Sequence, residues 1–138
     1  MTGPGAISGR KAMIAQMNPR LDEVHYAFIA ITPEIAPQAL GAAIGTFRED
    51  EGVSAIVPFE LACELGRDGA SEFARIVLQV HSALEGVGLT AAVAGALADC
   101  GIACNVVAAL HHDHVFVPAS RAHEALVLLR QAAEDASR

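Results

Sequence analysis

The segment best suited to chemistry is Glu85-Gly86-Val87-Gly88-Leu89, where two glycines lead into an apolar run with helical spacing. The first N–H groups of a helix lack intrahelical partners and sit at the positive end of its dipole, so a carboxylate placed there gains hydrogen bonds and favourable electrostatics. Glu85, Gly86, Val87, Gly88 and Leu89 are therefore candidate ligand-binding residues. The plainer reading is that the glycines only permit a tight strand-to-helix turn. Asn105 sits in the apolar stretch 102–110. A polar group among Val and Ala needs a partner, so its amide either meets a ligand or bonds to neighbouring backbone.

The run His111-His112-Asp113-His114 has the composition of a metal site. On a strand, His112 and His114 point to one face and Asp113 to the other, which offers two ligands where zinc gathers three or four. His112 and His114 are the metal candidates, and a polar turn between two strands is the competing reading. His81 and Ser82 are adjacent in a strand-like run and face opposite ways, which makes them a poor base and nucleophile. Cys63, Cys100 and Cys104 match neither an even disulfide set nor a two-pair zinc pattern, and they read as reduced thiols. Glu49-Asp50-Glu51 reads as a solvated hairpin tip without the spaced oxygens of a calcium loop. These residues assemble no catalytic set, so the chain is expected not to be an enzyme and to need no cofactor.

The elements that must position these residues follow from patterning. Ser8 caps a short helix over 10–17, which Asn18-Pro19 stops. The run from Val24 to Ile31 is β-branched, aromatic and apolar on both faces, and suits a strand in a covered sheet. Pro33 and Pro37 bound an irregular connection, after which 40–48 and 53–57 make a hairpin closed at Gly52. A short helix begins at Pro58 and ends at Gly66. The polar stretch 67–72 is the module boundary, so residues 1–72 form an N-terminal module, expected to be structural, and 73–138 a C-terminal one.

In that second half 73–80 is a strand. Leu89, Ala92, Val93, Ala96, Leu97 and Cys100 then fall at the offsets of a helix with one buried stripe. Residues 102–110 and 114–117 form a second hairpin, and Ala122, Ala125, Leu126, Leu129 and Ala133 mark a closing helix. The order α-β-β-β-α-β-α-β-β-α gives an α+β chain whose second half is a ferredoxin-like βαββαβ unit lacking its last strand. The strand over 24–31 is a candidate to supply it, which would interleave two modules. A second copy of the chain covering an open sheet is the alternative.

Composition narrows the functional classes. The chain has 138 residues, 53% hydrophobic and 18% charged, enough to bury a core. There is no Trp, one Tyr and five Phe, so Ala, Val, Leu and Ile must fill the interior and leave apolar surface for a partner. A formal charge of −7 repels phosphate backbones, and eight of the nine basic residues are Arg scattered from Arg10 to Arg138 without forming a stripe. Nucleic acid is not an expected partner. Neither is a membrane, because no long uncharged apolar stretch is present, and the start Met1-Thr2-Gly3-Pro4-Gly5 lacks a signal-peptide pattern. A cytoplasmic location is expected.

The stretch from His81 to Thr90 with its small-residue helix, followed by Gly101-Ile102-Ala103-Cys104-Asn105-Val106-Val107, resembles the ACT domain of amino-acid-sensing proteins. Together with 46–52 and 112–118 it is similar to short bacterial proteins made of paired ACT-like repeats, over roughly residues 20–130. The resemblance implies two interleaved ACT-type modules with antiparallel sheets and helices on one face. It also implies that the Glu85–Gly88 loop holds an amino acid's carboxylate, that Asn105 contacts the ligand, and that a neighbouring module or subunit completes the site. The segment departs from the pattern at His111, where an aromatic residue is expected. The expected function is a regulatory or sensor protein that binds a small-molecule effector, such as an amino acid, and forms a homodimer. The alternatives are an assembly module without ligand and a metal-dependent enzyme at His111–His114.

Overall fold

Prolines shape the first half of the chain. In the computed structural model, which describes residues 9–80 and 88–138, helix α1 (Arg10–Ala15) precedes strand β1 (Pro19–Ala30). The expected irregular connection is instead helix α2 (Ala36–Ala42), and β2 is correspondingly shorter, Gly45–Glu49. Proline in a first helical turn costs no hydrogen bond, because those N–H groups are unpaired anyway, so Pro37 sits in the first turn of a helix instead of bounding an irregular connection. Strand β3 (Gly52–Pro58) and helix α3 (Phe59–Glu64) follow as expected, then β4 (Phe73–Leu78). Helix α4 (Leu89–Ala98), strands β5 (Asn105–Ala108) and β6 (Asp113–Pro118), and helix α5 (Ala122–Ala136) complete the order.

The helix missing from the sequence reading makes the first half β-α-β-β-α, the same order as the second. The strands run β2-β3-β1-β4-β6-β5, antiparallel in the β1–β3, β2–β3 and β5–β6 pairs. In a βαββαβ unit the last strand lies beside the first, at the edge of that unit's four strands. Here β4 takes the last place beside β1, and β1 takes the last place beside β4. The modules are interleaved, and the sheet carries its helices on one face.

Two compact units result, one of Glu23–Ala74 and one of Met1–Asp22 with Arg75–Arg138. In the first, Ala27 and Ile29 of β1, Ala55 and Val57 of β3, Ile35 and Ala39 near α2, and Ala62 of α3 form the core. Alternation turns Val24, Tyr26 and Phe28 the other way, where Tyr26 is buried but Val24 and Phe28 are exposed, so the second face of β1 is only partly covered. In the second unit α1 and α4 pack on α5. Met13, Met17, Ile76, Leu78, Val93, Leu97, Val115, Val117 and Leu129 are its fully buried large aliphatic side chains. Among the described residues no helix is long and apolar enough to cross a membrane.

Candidate functional site

Helix α4 carries most of the predicted stripe: Leu89, Val93 and Leu97 are buried and Ala92 and Ala96 half-buried, while Cys100 lies past the end of the helix and is exposed. Its carboxyl end turns at Gly101, φ +70, where Gly101 N–H donates to Ala98 O at 2.9 Å and Ile102 N–H to Leu97 O at 3.0 Å. This pair of bonds closes the last helical carbonyls and requires the left-handed conformation that glycine adopts without strain. Arg121 reaches the same end, donating to Cys100 O at 3.2 Å.

The amino end is built differently. Gly88 is its cap residue at φ +102, and Gly88 O accepts from Ala92 N–H at 2.9 Å. A glycine cap offers no side chain to the first N–H groups of the helix. Across this residue lies Arg10, the first residue of α1; a Cβ built on Gly88 would stand 2.7 Å from Arg10 Cδ and 2.9 Å from Cγ. The α4 amino end therefore combines its own dipole with a nearby guanidinium stem, and both favour an anion. Nothing in local spacing pairs Arg10 with Gly88, so sequence reasoning missed it.

Of the other ligand-binding candidates, Leu89 is buried in the α4 stripe, and Asn105 opens β5 opposite Phe116 and is exposed. Exposure removes the argument that the Asn105 amide must find a protein partner. Glu85, Gly86 and Val87, with His81 and Ser82, lie outside the described residues.

The histidine segment differs from its expected geometry. Strand β6 begins at Asp113, so His112 lies in the turn, which Ala109 N–H closes onto His112 O at 3.1 Å, while His114 stands opposite Val107. Among the described residues no three His, Cys, Asp or Glu side chains are grouped to hold a metal, so His112 and His114 gain no third ligand. His114 belongs instead to a polar row. Arg75 of β4 donates to Asp22 Oδ2 of β1 from Nε at 3.1 Å and Nη2 at 2.7 Å, and its Nη1 lies 3.5 Å from His114 Nδ1. Arginine only donates, so this arrangement suits a neutral His114 with its proton on Nε2. Burial, then the charges of Arg75 and His112, lower the His114 pKa. Burial raises that of Asp113, partly offset by His112. His112 Nδ1 is buried without a hydrogen-bond partner among the described residues. The only cue to the row in the sequence is Arg75, a charge inside the strand-like run 73–80; Asp22 lies ahead of the run read from Val24.

The cysteines are separate. Cys100 is exposed, and Cys63 and Cys104 are half-buried, with burial raising the Cys104 pKa. Glu49, Asp50 and Glu51 are exposed at the β2–β3 tip, as expected of a solvated turn.

Two family models, each described as an ACT domain, match this chain, one over residues 10–74 and the other over 71–131. Among solved structures, a Vibrio cholerae protein of unknown function, described as a possible transport protein, is 39% identical over 86% of this chain and 91% of its own, with a TM-score of 0.75. The regulatory subunit of aspartate kinase from Thermus flavus is 18% identical over 83% of this chain and 95% of its own, with a TM-score of 0.58. The Agrobacterium tumefaciens protein Atu0741 is 19% identical over 83% and 87%, with a TM-score of 0.62. Among curated proteins none matches. Two repeats that share one β-α-β-β-α order, exchange their central strands and each match an ACT model make this chain a member of the ACT-domain superfamily with two tandem repeats.

Proposed function

We propose that the chain is a regulatory protein that binds a small carboxylate effector, with amino acids the leading class, at the amino end of α4. The observation that carries this reading is Arg10 lying across Gly88 at an uncapped helix start. A carboxylate there meets backbone N–H donors, the helix dipole and a guanidinium together. Glu85, Gly86, Val87 and Leu89 complete the proposed set of ligand-binding residues, with Asn105 contacting ligand from the exposed strand β5. Arg10 apart, the N-terminal module serves this site structurally. The likeness to a regulatory subunit of aspartate kinase supports this reading. Three thiols without a disulfide suit a cytoplasmic setting.

The test is a thermal-shift screen of amino acids and other small carboxylates against the wild type and Arg10→Ala. Ligand at about 100 times Kd raises stability by about 2.7 kcal/mol. Arg10→Ala is expected to abolish or strongly reduce the shift. Silence across the screen would reject the effector reading.

A second property rests on the first unit. Phe28 and Phe73 meet edge to face at 5.4 Å, and Phe47, opposite Ser54, shares the face of β1 and β3 turned away from the core. Phe47 is 71% exposed. Aromatic side chains left outside an aliphatic core mark an interaction surface. We assign it to a homodimer contact, tested by light scattering on the wild type and Phe47→Asp.

A further inference from the structure

Strand β1 outruns its partner. It pairs with β3 from Tyr26, opposite Pro58, to Ala30, opposite Ser54, and at Phe59 the chain leaves the sheet as α3. Residues Glu23, Val24 and His25 extend past that point, and beside them is a cleft of about 520 Å³. Its walls are those three residues, Pro58, Phe59, Glu60 and Cys63 from the start of α3, and Glu72 from just before β4. The volume lies within the range of small-molecule sites.

The chemistry of the walls is one-sided. Among the described residues, three carboxylates, Glu23, Glu60 and Glu72, line this space and no lysine or arginine does. The single basic group, His25, is tied through Nδ1 to Glu72 Oε2 at 2.6 Å. Whether or not His25 carries its second proton, negative charge is in excess. Apolar contact comes from Val24, Pro58 and Phe59, which also packs against the unit's core. An anion is repelled here, while an organic cation finds carboxylates for its charge and an aromatic face for its body. An inorganic divalent ion has no group of three ligands among the described residues.

We propose that this cleft is a second binding site, in the N-terminal module, for a small organic cation of the alkylammonium or guanidinium class. It draws on other residues than the α4 carboxylate site and on the opposite sign of charge, and neither depends on the other.

Cys63 provides the readout. In a Cys100→Ser/Cys104→Ser background, the rate of Cys63 alkylation by iodoacetamide is measured with n-butylammonium, 1,4-diaminobutane or guanidinium, and with sodium butyrate and magnesium chloride at matched ionic strength. Protection by at least one of the organic cations at about 10 mM is expected, with none from butyrate or magnesium. Glu60→Gln or Glu72→Gln weakens it about two- to fivefold each, and the pair together about tenfold. Both side chains are exposed, and circular dichroism confirms the fold of each variant. Equal protection by butyrate or magnesium, no protection by any organic cation, or undiminished protection in a folded double variant would overturn the proposal.

Discussion

Arg75 presents two of its nitrogens, Nε at 3.1 Å and Nη2 at 2.7 Å, to a single oxygen of Asp22. The pair is largely withdrawn from water, with side chains 19% and 14% exposed, and it joins β4 to β1, the two strands that the modules exchange. Removing one member leaves the other's charge half-buried without its counter-ion. Asp22→Ala is expected to cost about 2–3 kcal/mol in urea unfolding. Asp22→Leu with Arg75→Met removes both charges and should recover much of that loss. Single costs that simply add in the double variant would show that the two groups act independently.

Gly88 tests the left-handed start of α4. Its φ of +102° strains any L side chain, and a Cβ would also stand 2.7 Å from Arg10 Cδ. Gly88→Ala is expected to lose about 1–3 kcal/mol from the backbone. Adding Arg10→Ala relieves the contact but not the strain, so it should return only part of the loss in thermal unfolding. Full recovery would assign the whole cost to the contact.

The polar row predicts two pH dependences of opposite sign. The folded pKa of His114 is lowered by burial, Arg75 and His112, so the unfolded chain takes up the proton first as pH falls. The His114 contribution is fully present above the ordinary value of 6.5 and is lost as pH falls through the folded value. His114→Gln should flatten that slope. Asp113, raised by burial, behaves inversely: its contribution is greatest below 3.8 and is lost as pH rises through its folded value. Asp113→Asn should therefore stabilise the protein at neutral pH. A stability profile unchanged by both substitutions would remove the row from the acid response.

Phe47→Asp places a charge on the exposed face of β2 and β3 without touching the core cluster. It should halve the mass in light scattering while leaving the unfolding midpoint of the monomer within about 0.5 kcal/mol of wild type. A wild type that is already monomeric would place the exposed phenylalanines outside any self-contact.

The sequence by itself determined the elements whose signal is local. The stripe from Leu89 to Leu97, the apolar run of β1 and both hairpins were legible, because burial on one side of a helix or strand repeats at its own period. It also carried the βαββα order of the second half, and with it the need for a borrowed strand. Helix α2 is not legible locally, since prolines such as Pro33 and Pro37 bound an irregular connection as readily as one of them fits the first turn of a helix. The tertiary structure alone decided that Arg10 meets Gly88, that Asp22, Arg75 and His114 align across β1, β4 and β6, and that β1 outruns β3 to leave a cleft. Those contacts join residues far apart in the chain. Their partners are chosen by how strands pair and helices pack, and no local period records that choice.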